Sequence, residues 1–376
     1  MRRCALESIV STTTVSRECI NDRPRILSGV QPSGKLHIGN YFGAIKQHIE
    51  RQEKGDCFYF IADYHALTTL KEAEEKEVAA AARNKHIVPR SARRILADNV
   101  RDVALDYLAL GLDPTKAHFF RQSDIPEVCE LTWILSIVSG MGLLERAHSY
   151  KDKVERGITP SVGLFTYPIL MAADILIYRS HLVPVGKDQE QHLEMTRDIA
   201  GAFNHTFGEV FPIPDAVFNE AAVVPGTDGQ KMSKSYGNTI DIFAEGKALK
   251  NVVMSVVTDS TPVEEPKNPE TCNVFKLFKL FATGDELGRV ADLYHNPMLE
   301  AETRGGRPFG YGDAKTILFG KIDAYFAPAR ERRKQLERNP GVVEEALTTG
   351  AKRAREVAQI TLRLVRERVG MHARPV

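Results

Sequence analysis

Gly29-Val30-Gln31-Pro32-Ser33-Gly34-Lys35-Leu36-His37-Ile38-Gly39-Asn40 is the stretch whose reading decides the fold. Before it, Arg25-Ile26-Leu27 is a short apolar run ended by Ser28-Gly29, which predicts a strand. A Pro/Gly turn follows, and then a helix expected from about Ile38 to Gln52. A helix start reached this way offers free N–H groups and a positive dipole end to an anion. Gly39 would let a nucleotide lie on the backbone, and His37 and Asn40 project on one side of the first turn. The first seven residues also fit G-x-x-x-x-G-K. The next position of a P-loop must be Ser or Thr to ligate Mg²⁺, and it is Leu36, so a P-loop NTPase is disfavoured. Taken alone, these residues also fit a capped helix start with a surface histidine.

Working outward, Cys57-Phe58-Tyr59-Phe60-Ile61-Ala62 has the length and composition of a buried strand. Asp63, Tyr64 and His65 follow at its carboxyl end, where ligands gather on parallel sheets. Helical patterning over Lys71–Asn84 is broken by Pro89, resumes over Val100–Leu110 and closes at Gly111. His118-Phe119-Phe120 and Leu182–Val185 read as further strands, the second ending at Gly186. Leu131–Leu144, Leu164–Tyr178 and Gln189–Phe203 read as helical. Strands alternating with helices through about residue 200 predict an α/β domain with a parallel, Rossmann-like sheet. Beyond about residue 245 strand signals fade. Leu347, Ala351, Ala354, Ala358, Val365 and Val369 then mark one face of a long C-terminal helix.

Composition is that of a globular chain, with 43% apolar and 26% charged residues; this excludes disordered and collagen-like classes. The net charge of +1 hides a split: 38 basic and 43 acidic residues lie up to Ala329, and 12 basic and 6 acidic from Arg330. A basic helical tail is what gripping an RNA backbone requires. Cys4, Cys19, Cys57, Cys129 and Cys272 include no C-x-x-C pair, which points to reduced, structural thiols in a cytoplasmic protein. No run is long and apolar enough to span a membrane. Residues 1–23 carry Arg2, Arg3 and Arg17 but also Glu7, Glu18 and Asp22; a disordered extension is expected there rather than a transit peptide.

Far downstream stands Gly226-Thr227-Asp228-Gly229-Gln230-Lys231-Met232-Ser233-Lys234-Ser235. Two glycines suggest a flexible approach to a loop with two ammonium groups, suited to a departing polyphosphate. The pair His-Ile-Gly-Asn and Lys-Met-Ser-Lys-Ser, on an α/β scaffold, resembles the HIGH and KMSKS signatures of class I aminoacyl-tRNA synthetases. Gly29–Gly34 leading to Tyr41, Thr166–Leu176 and Val183–Glu194 resemble the tryptophanyl-tRNA synthetase family of that class, in its bacterial and organellar branch.

The resemblance implies three parts after the extension. These are a catalytic domain over 24–240, a connecting insertion at about 113–180, and a helical anticodon-binding domain over 241–376. It implies ATP-dependent attachment of L-tryptophan to tRNA(Trp) through an adenylate, by a homodimer. Mg²⁺ is expected to arrive with ATP, with no resident protein-ligated metal. His37, Asn40, Lys231, Lys234 and Ser235 are implied as catalytic. ATP would contact Gln31, Pro32, Ser33, Gly39, Asn40, Gly186, Asp188, Lys231, Met232, Ser233 and Lys234. Tryptophan would contact His65, Tyr167, Met171, Asp174 and Gln189, with Asp174 accepting the indole N–H. That assignment agrees with the residue chemistry: an indole presents one N–H that must be paired, and a carboxylate in an apolar stretch needs a partner. Leu27 departs from the resemblance, because relatives often place an aromatic there. Lys85–Arg94 looks inserted between two helices and is expected to be a disordered surface excursion with no catalytic role. Tyrosine, also a donor, is the nearest alternative substrate. A non-catalytic RNA-binding paralogue and a nucleotidyltransferase that does not use tRNA are the other readings.

Overall fold

The structure, a computed structural model, describes residues 23–84, 88–147, 150–151, 155, 161–186, 189–218 and 223–371. Its strands are β1 (Arg25–Val30), β2 (Asp56–Ile61), β3 (Ala117–Arg121), β4 (Leu182–Val185) and β5 (Asp215–Phe218). They form one sheet in the order β3-β2-β1-β4-β5, parallel throughout. Strand order reverses at β1, so a crevice opens beyond the carboxyl ends of β1 and β4, where ligands bind in doubly wound sheets. Along β2, Cys57, Tyr59 and Ile61 enter one core and Phe58 and Phe60 the other, so both faces are buried as the apolar run implied.

Helices cover both faces. After β1 come α1 (Ile38–Asn40), a π-helical turn (Tyr41–Ile45) and α2 (Lys46–Arg51). The expected helix over Ile38–Gln52 is thus one helical run with a π turn inside it, a feature frequent at functional sites. Next are α3 (Asp63–Ala66), α4 (Leu70–Arg83) and α5 (Ala92–Leu110). Helix α5 starts earlier than Val100, capped by Ser91, and stops where Gly111 takes φ 113°. The expectation of an excursion over Lys85–Arg94 is therefore corrected: Lys85, His86 and Ile87 lie outside the described residues, but Arg90 donates to Glu77 at 3.0 Å and the Ala92 N–H to Glu74 at 2.8 Å. On the opposite face lie α6 (Glu127–Val138), α7 (Met141–Glu145), α8 (Val162–Ile177) and α9 (Glu190–Phe207).

The C-terminal part is helical among the described residues: α10 (Gly246–Met254), α11 (Asn273–Phe278), α12 (Gly284–His295), α13 (Tyr311–Arg338) and α14 (Pro340–Arg368). Packing is continuous across the expected 240/241 boundary, because Leu249, Val253, Leu318 and Phe326 share a core with Ile26 and Ile38. Helix α14 wraps the β3 edge. Val343 and Leu347 sit in one core, and Ala351, Ala354, Ala358, Leu362 and Val365 in the other. Covering an edge strand this way prevents pairing with other chains. The crossing point is Gly350, where a Cβ would lie 2.0 Å from the Phe119 carbonyl oxygen. Gly350→Ala should destabilise by up to about 3 kcal/mol through overpacking, more than the ~1 kcal/mol that alanine gains in a helix. Gly341→Ala, with open space around it on the same helix, should raise the urea midpoint while Gly350→Ala lowers it.

The basic tail is largely engaged inside the molecule. Arg330, Arg332, Arg333, Lys334, Arg353, Arg355 and Arg366 all bond to other parts of this chain. Arg353 donates to the Ala117 carbonyl at 2.9 Å, and Arg355 pairs with Glu127 at 2.8 Å. Those arginines fasten α13 and α14 to the sheet domain, so much of the tail's charge is engaged within the molecule. Among the described residues no helix is long and apolar enough to cross a membrane, and Cys57, Cys129 and Cys272 are free thiols.

Candidate active site

Two adjoining clefts open at the carboxyl edge of the sheet. The first, about 670 Å³, is lined by Gln31, Ser33 and Asn40, by His65, Tyr167, Met171 and Asp174, and by Gly186, Gln189 and Lys234. The second, about 1150 Å³, is lined by Gln31, Pro32, Ser33, His37, Gly39 and Asn40 from one side. Lys231, Met232, Ser233, Lys234 and Ser235 line it from the other. Residues far apart in sequence are thus brought together on one edge. Asp188 lies outside the described residues.

The first cleft ends on Asp174, 2% exposed on α8. His65 Nε2 donates to its Oδ2 at 2.9 Å, and Gln122 Nε2 reaches both carboxylate oxygens at 2.9 and 2.8 Å. Burial pushes the Asp174 carboxyl above the ordinary carboxylate range, and the bonds from His65 and Gln122 oppose this. A carboxylate has about four acceptor sites, so capacity remains for one further donor from the cleft. Sequence reasoning missed Gln122. Its signal was position: like Asp63, it stands just past the carboxyl end of a parallel strand. Gln122 Oε1 accepts the Tyr64 N–H at 3.1 Å, which fixes the amide so that its NH₂ faces Asp174. His192 was also missed; it is buried, hydrogen-bonded to the Tyr167 hydroxyl, and lies one turn into α9 beyond Gln189.

Leu27 lines this cleft beside Phe60. The Phe60 ring packs so closely on β1 that a Cβ at Gly29 would meet it at 2.5 Å. An aromatic wall therefore comes from β2, next to the position where Leu27 lacks one.

The second cleft is shaped by contact between the two signature segments. His37 caps α1, its Nδ1 accepting from the Asn40 N–H at 3.3 Å while Asn40 Oδ1 accepts from the His37 N–H at 3.1 Å. Burial, with Lys234 nearby, drives the His37 imidazole down to about 4 against the opposing Asp241, so it is neutral at neutral pH. The expected free N–H groups are all engaged here. Ile38 N–H donates to the Ile240 carbonyl at 3.0 Å, and Gly39 N–H to Met232 Sδ at 3.3 Å. Lys234 Nζ donates to the Ser33 and Gly34 carbonyls at 3.1 and 3.0 Å. Burial draws this ammonium down, while Asp106 and Asp241 favour its charged form.

Gly226 and Gly229 serve close approach rather than flexibility. A Cβ at Gly226 would lie 2.3 Å from the Asn238 side chain, and one at Gly229 2.5 Å from Asn273. Asn238, unremarked in the sequence, is the loop's anchor. Its Nδ2 donates to Asp228 at 2.7 Å and to the Lys231 carbonyl at 3.1 Å, and its Oδ1 accepts the Ser233 N–H at 2.7 Å.

A parallel sheet with this order, a capped helix start on β1 and a two-lysine loop closing over it define a class I synthetase catalytic core. Comparison with known proteins agrees. The family described as "tRNA synthetases class I (W and Y)" matches residues 20–295. The tryptophan--tRNA ligase of Fusobacterium nucleatum subsp. nucleatum is 52% identical over 349 residues, covering 92% of this chain and 98% of that one. The crystal structure of tryptophanyl-tRNA synthetase from Campylobacter jejuni complexed with ADP and tryptophane has a TM-score of 0.80 at 48% identity, over 92% of this chain and 100% of that one. A tyrosyl-tRNA synthetase from Archaeoglobus fulgidus, 19% identical with a TM-score of 0.57 over 82% of this chain and 90% of that one, shares the fold. The chain belongs to the class I tRNA synthetases of the tryptophanyl and tyrosyl family, and at about half identity its relatives are tryptophan--tRNA ligases.

Proposed function

We propose that this chain activates L-tryptophan with ATP and attaches it to tRNA(Trp). The observation that carries this is Asp174, a buried, oriented acceptor at the end of a cleft walled by Leu27, Phe60, Met171 and Ile175. An indole fits such a site because it buries apolar area and leaves one N–H to be paired. Tyr167 and Gln189 would take the substrate's amino group. His37, Asn40 and Gly39 would meet the nucleotide, with Asp188 and Gly186 at the ribose. The tryptophan carboxylate attacks the α-phosphorus in line, and pyrophosphate leaves toward Lys231, Lys234 and Ser235. Mg²⁺ enters with ATP as part of that substrate and offsets phosphate charge. For a nucleotide to lie on Gly39, Met232 must move aside, so the Lys-Met-Ser-Lys-Ser loop opens and recloses in each cycle. A hydroxyl at the tRNA 3′ end then attacks the aminoacyl carbonyl and AMP departs. Cytoplasmic residence and the division into catalytic, inserted and anticodon-binding parts belong to this reading. The test is ATP–pyrophosphate exchange with tryptophan against tyrosine; equal turnover with tyrosine would overturn the substrate assignment.

The same reading includes a homodimer. Trp133 and Ile137 on α6 and Met141 at the start of α7 are 69%, 66% and 63% exposed and follow at four-residue spacing. Exposed apolar side chains such as Trp133 and Ile137, one turn apart on α6, are of the kind that mark an interaction surface. Trp133 is the chain's only tryptophan. Its fluorescence should be blue-shifted at high protein concentration and move to the red on dilution, in step with a sedimentation change from dimer to monomer. Trp133→Glu should sediment as a monomer at all concentrations.

A further inference from the structure

Helix α13 turns a cluster of arginines inward, directly beneath the catalytic motifs. Arg330, 3% exposed, donates from Nε to the Ile242 carbonyl at 3.1 Å. Arg333 donates from Nε to Asp106 at 2.7 Å and from Nη2 to Asp102 at 2.9 Å, and its guanidinium lies 5.1 Å over the Phe243 ring. The groups they hold lead straight to the site. Ile240–Ile242 brackets the helix start: the Ile240 carbonyl accepts from Ile38 N–H at 3.0 Å, and Ile242 N–H donates to the Leu36 carbonyl at 3.3 Å. Asp106 and Asp102 sit on α5 on the same face as Asn99, at helical spacing. Asn99 Nδ2 donates to the Pro32 carbonyl at 3.2 Å, beside the Ser33 and Gly34 carbonyls on which Lys234 rests. Arg330 thus secures the segment that is bonded to Leu36 and Ile38 at the His37–Asn40 helix start. Arg333 secures the helix whose Asn99 holds the Pro32 carbonyl.

Asp106 is 2% exposed. Burial pushes its carboxyl up to about 7, and the Arg333 guanidinium beside it opposes this. Asp106 is also the leading carboxylate favouring the charge on Lys234, with Asp241 second.

We propose that Arg333, acting through Asp106, is a positioning residue for adenylate formation. It fixes the helix that, through Asn99, holds the Pro32–Gly34 turn on which Lys234 rests in register with the His37–Asn40 helix start. The proposal rests on the adenylate-forming reading above. Helical residues near the C-terminus thereby act on the phosphate end of the site without touching a substrate.

The experiment compares wild type, Arg333→Gln and the double variant Asp106→Asn/Arg333→Gln in tryptophan-dependent ATP–pyrophosphate exchange, with thermal midpoints. In Arg333→Gln the turnover should fall by about tenfold or more while KM for tryptophan stays within about twofold, the pattern of lost transition-state positioning. The double variant leaves no buried charge unpaired, so its thermal midpoint should recover toward wild type. Its turnover should stay low, because α5, which holds the Pro32–Gly34 turn through Asn99, still lacks its fastening by Arg333. A double variant with wild-type turnover would overturn the proposal, as would a folded Arg333→Gln protein with wild-type turnover. If Arg333→Gln does not fold, the double variant alone decides. Absence of exchange in the wild type would instead sink the adenylate-forming reading itself.

Discussion

Asp174→Asn should lower kcat/KM for tryptophan by roughly 10–10²-fold while KM for ATP changes by less than about threefold. Gln122 is held by the Tyr64 N–H so that its own NH₂ faces the carboxylate, and His65 supplies a second donor. A carboxylate can accept from these and from an indole N–H together. A carboxamide has one oxygen, and its NH₂ must face either Gln122 or the substrate, donor against donor. Leaving a buried donor unpaired costs about 1–3 kcal/mol. The measurement is exchange kinetics with each substrate varied in turn; an unchanged tryptophan KM and turnover would remove Asp174 from the site. The wild-type acid limb carries a related signature. Recognition needs the ionised acceptor, and burial raises this carboxyl. Activity should therefore fade with falling pH above the ordinary aspartate range of about 3.9.

Lys231→Ala and Lys234→Ala should each slow adenylate formation by about 10²–10³-fold, in the range seen when a preorganised charge is removed from a developing anion. Tryptophan affinity, measured by equilibrium titration, should be unaltered in both. The two variants should differ in the unliganded enzyme. Lys234 holds the loop to the Ser33 and Gly34 carbonyls, so its loss should speed hydrogen exchange over residues 231–236, and loss of Lys231 should not. Single-turnover formation of the adenylate at near-wild-type rate in either variant would refute the role assigned to that lysine.

Much of the fold was legible because its signals are local. The strands at Arg25, Cys57 and Leu182 are apolar runs, and the stripe from Leu347 to Val365 is a periodicity; each follows from burying one face or two. β5 was illegible for the same reason. Asp215-Ala216-Val217-Phe218 is a half-exposed edge strand, defined by pairing with β4 rather than by its own pattern. The start of α5 was missed because Pro89 and a basic stretch resemble a loop, whereas Ser91 supplies a cap that only the folded chain reveals.

Within the site, the residues proposed to touch substrate carry motifs, and most of those that hold them do not. Gln122, Asn238 and Arg333 bear no motif, and His192 lay in a resembling stretch without being singled out, because a second partner's identity depends on which elements meet. The glycines of the loop looked flexible in sequence, yet Gly226 and Gly229 admit the side chains of Asn238 and Asn273. The tail's charge looked like an RNA grip, yet Arg353 and Arg355 bind the sheet domain.

By itself the sequence determined the strand and helix types along most of the chain and the two signature motifs, and it named the residues proposed to face an amino acid and a nucleotide. These depend on side-chain chemistry and short-range periodicity. Only the tertiary structure decided where charge is neutralised and which N–H groups are already engaged. It also decided which helix stands under the phosphate end of the cleft. Hydrogen bonds and ion pairs of that kind join residues up to two hundred positions apart and more, as Arg333 joins Asp106. Their partners are selected by packing geometry, which no local pattern encodes.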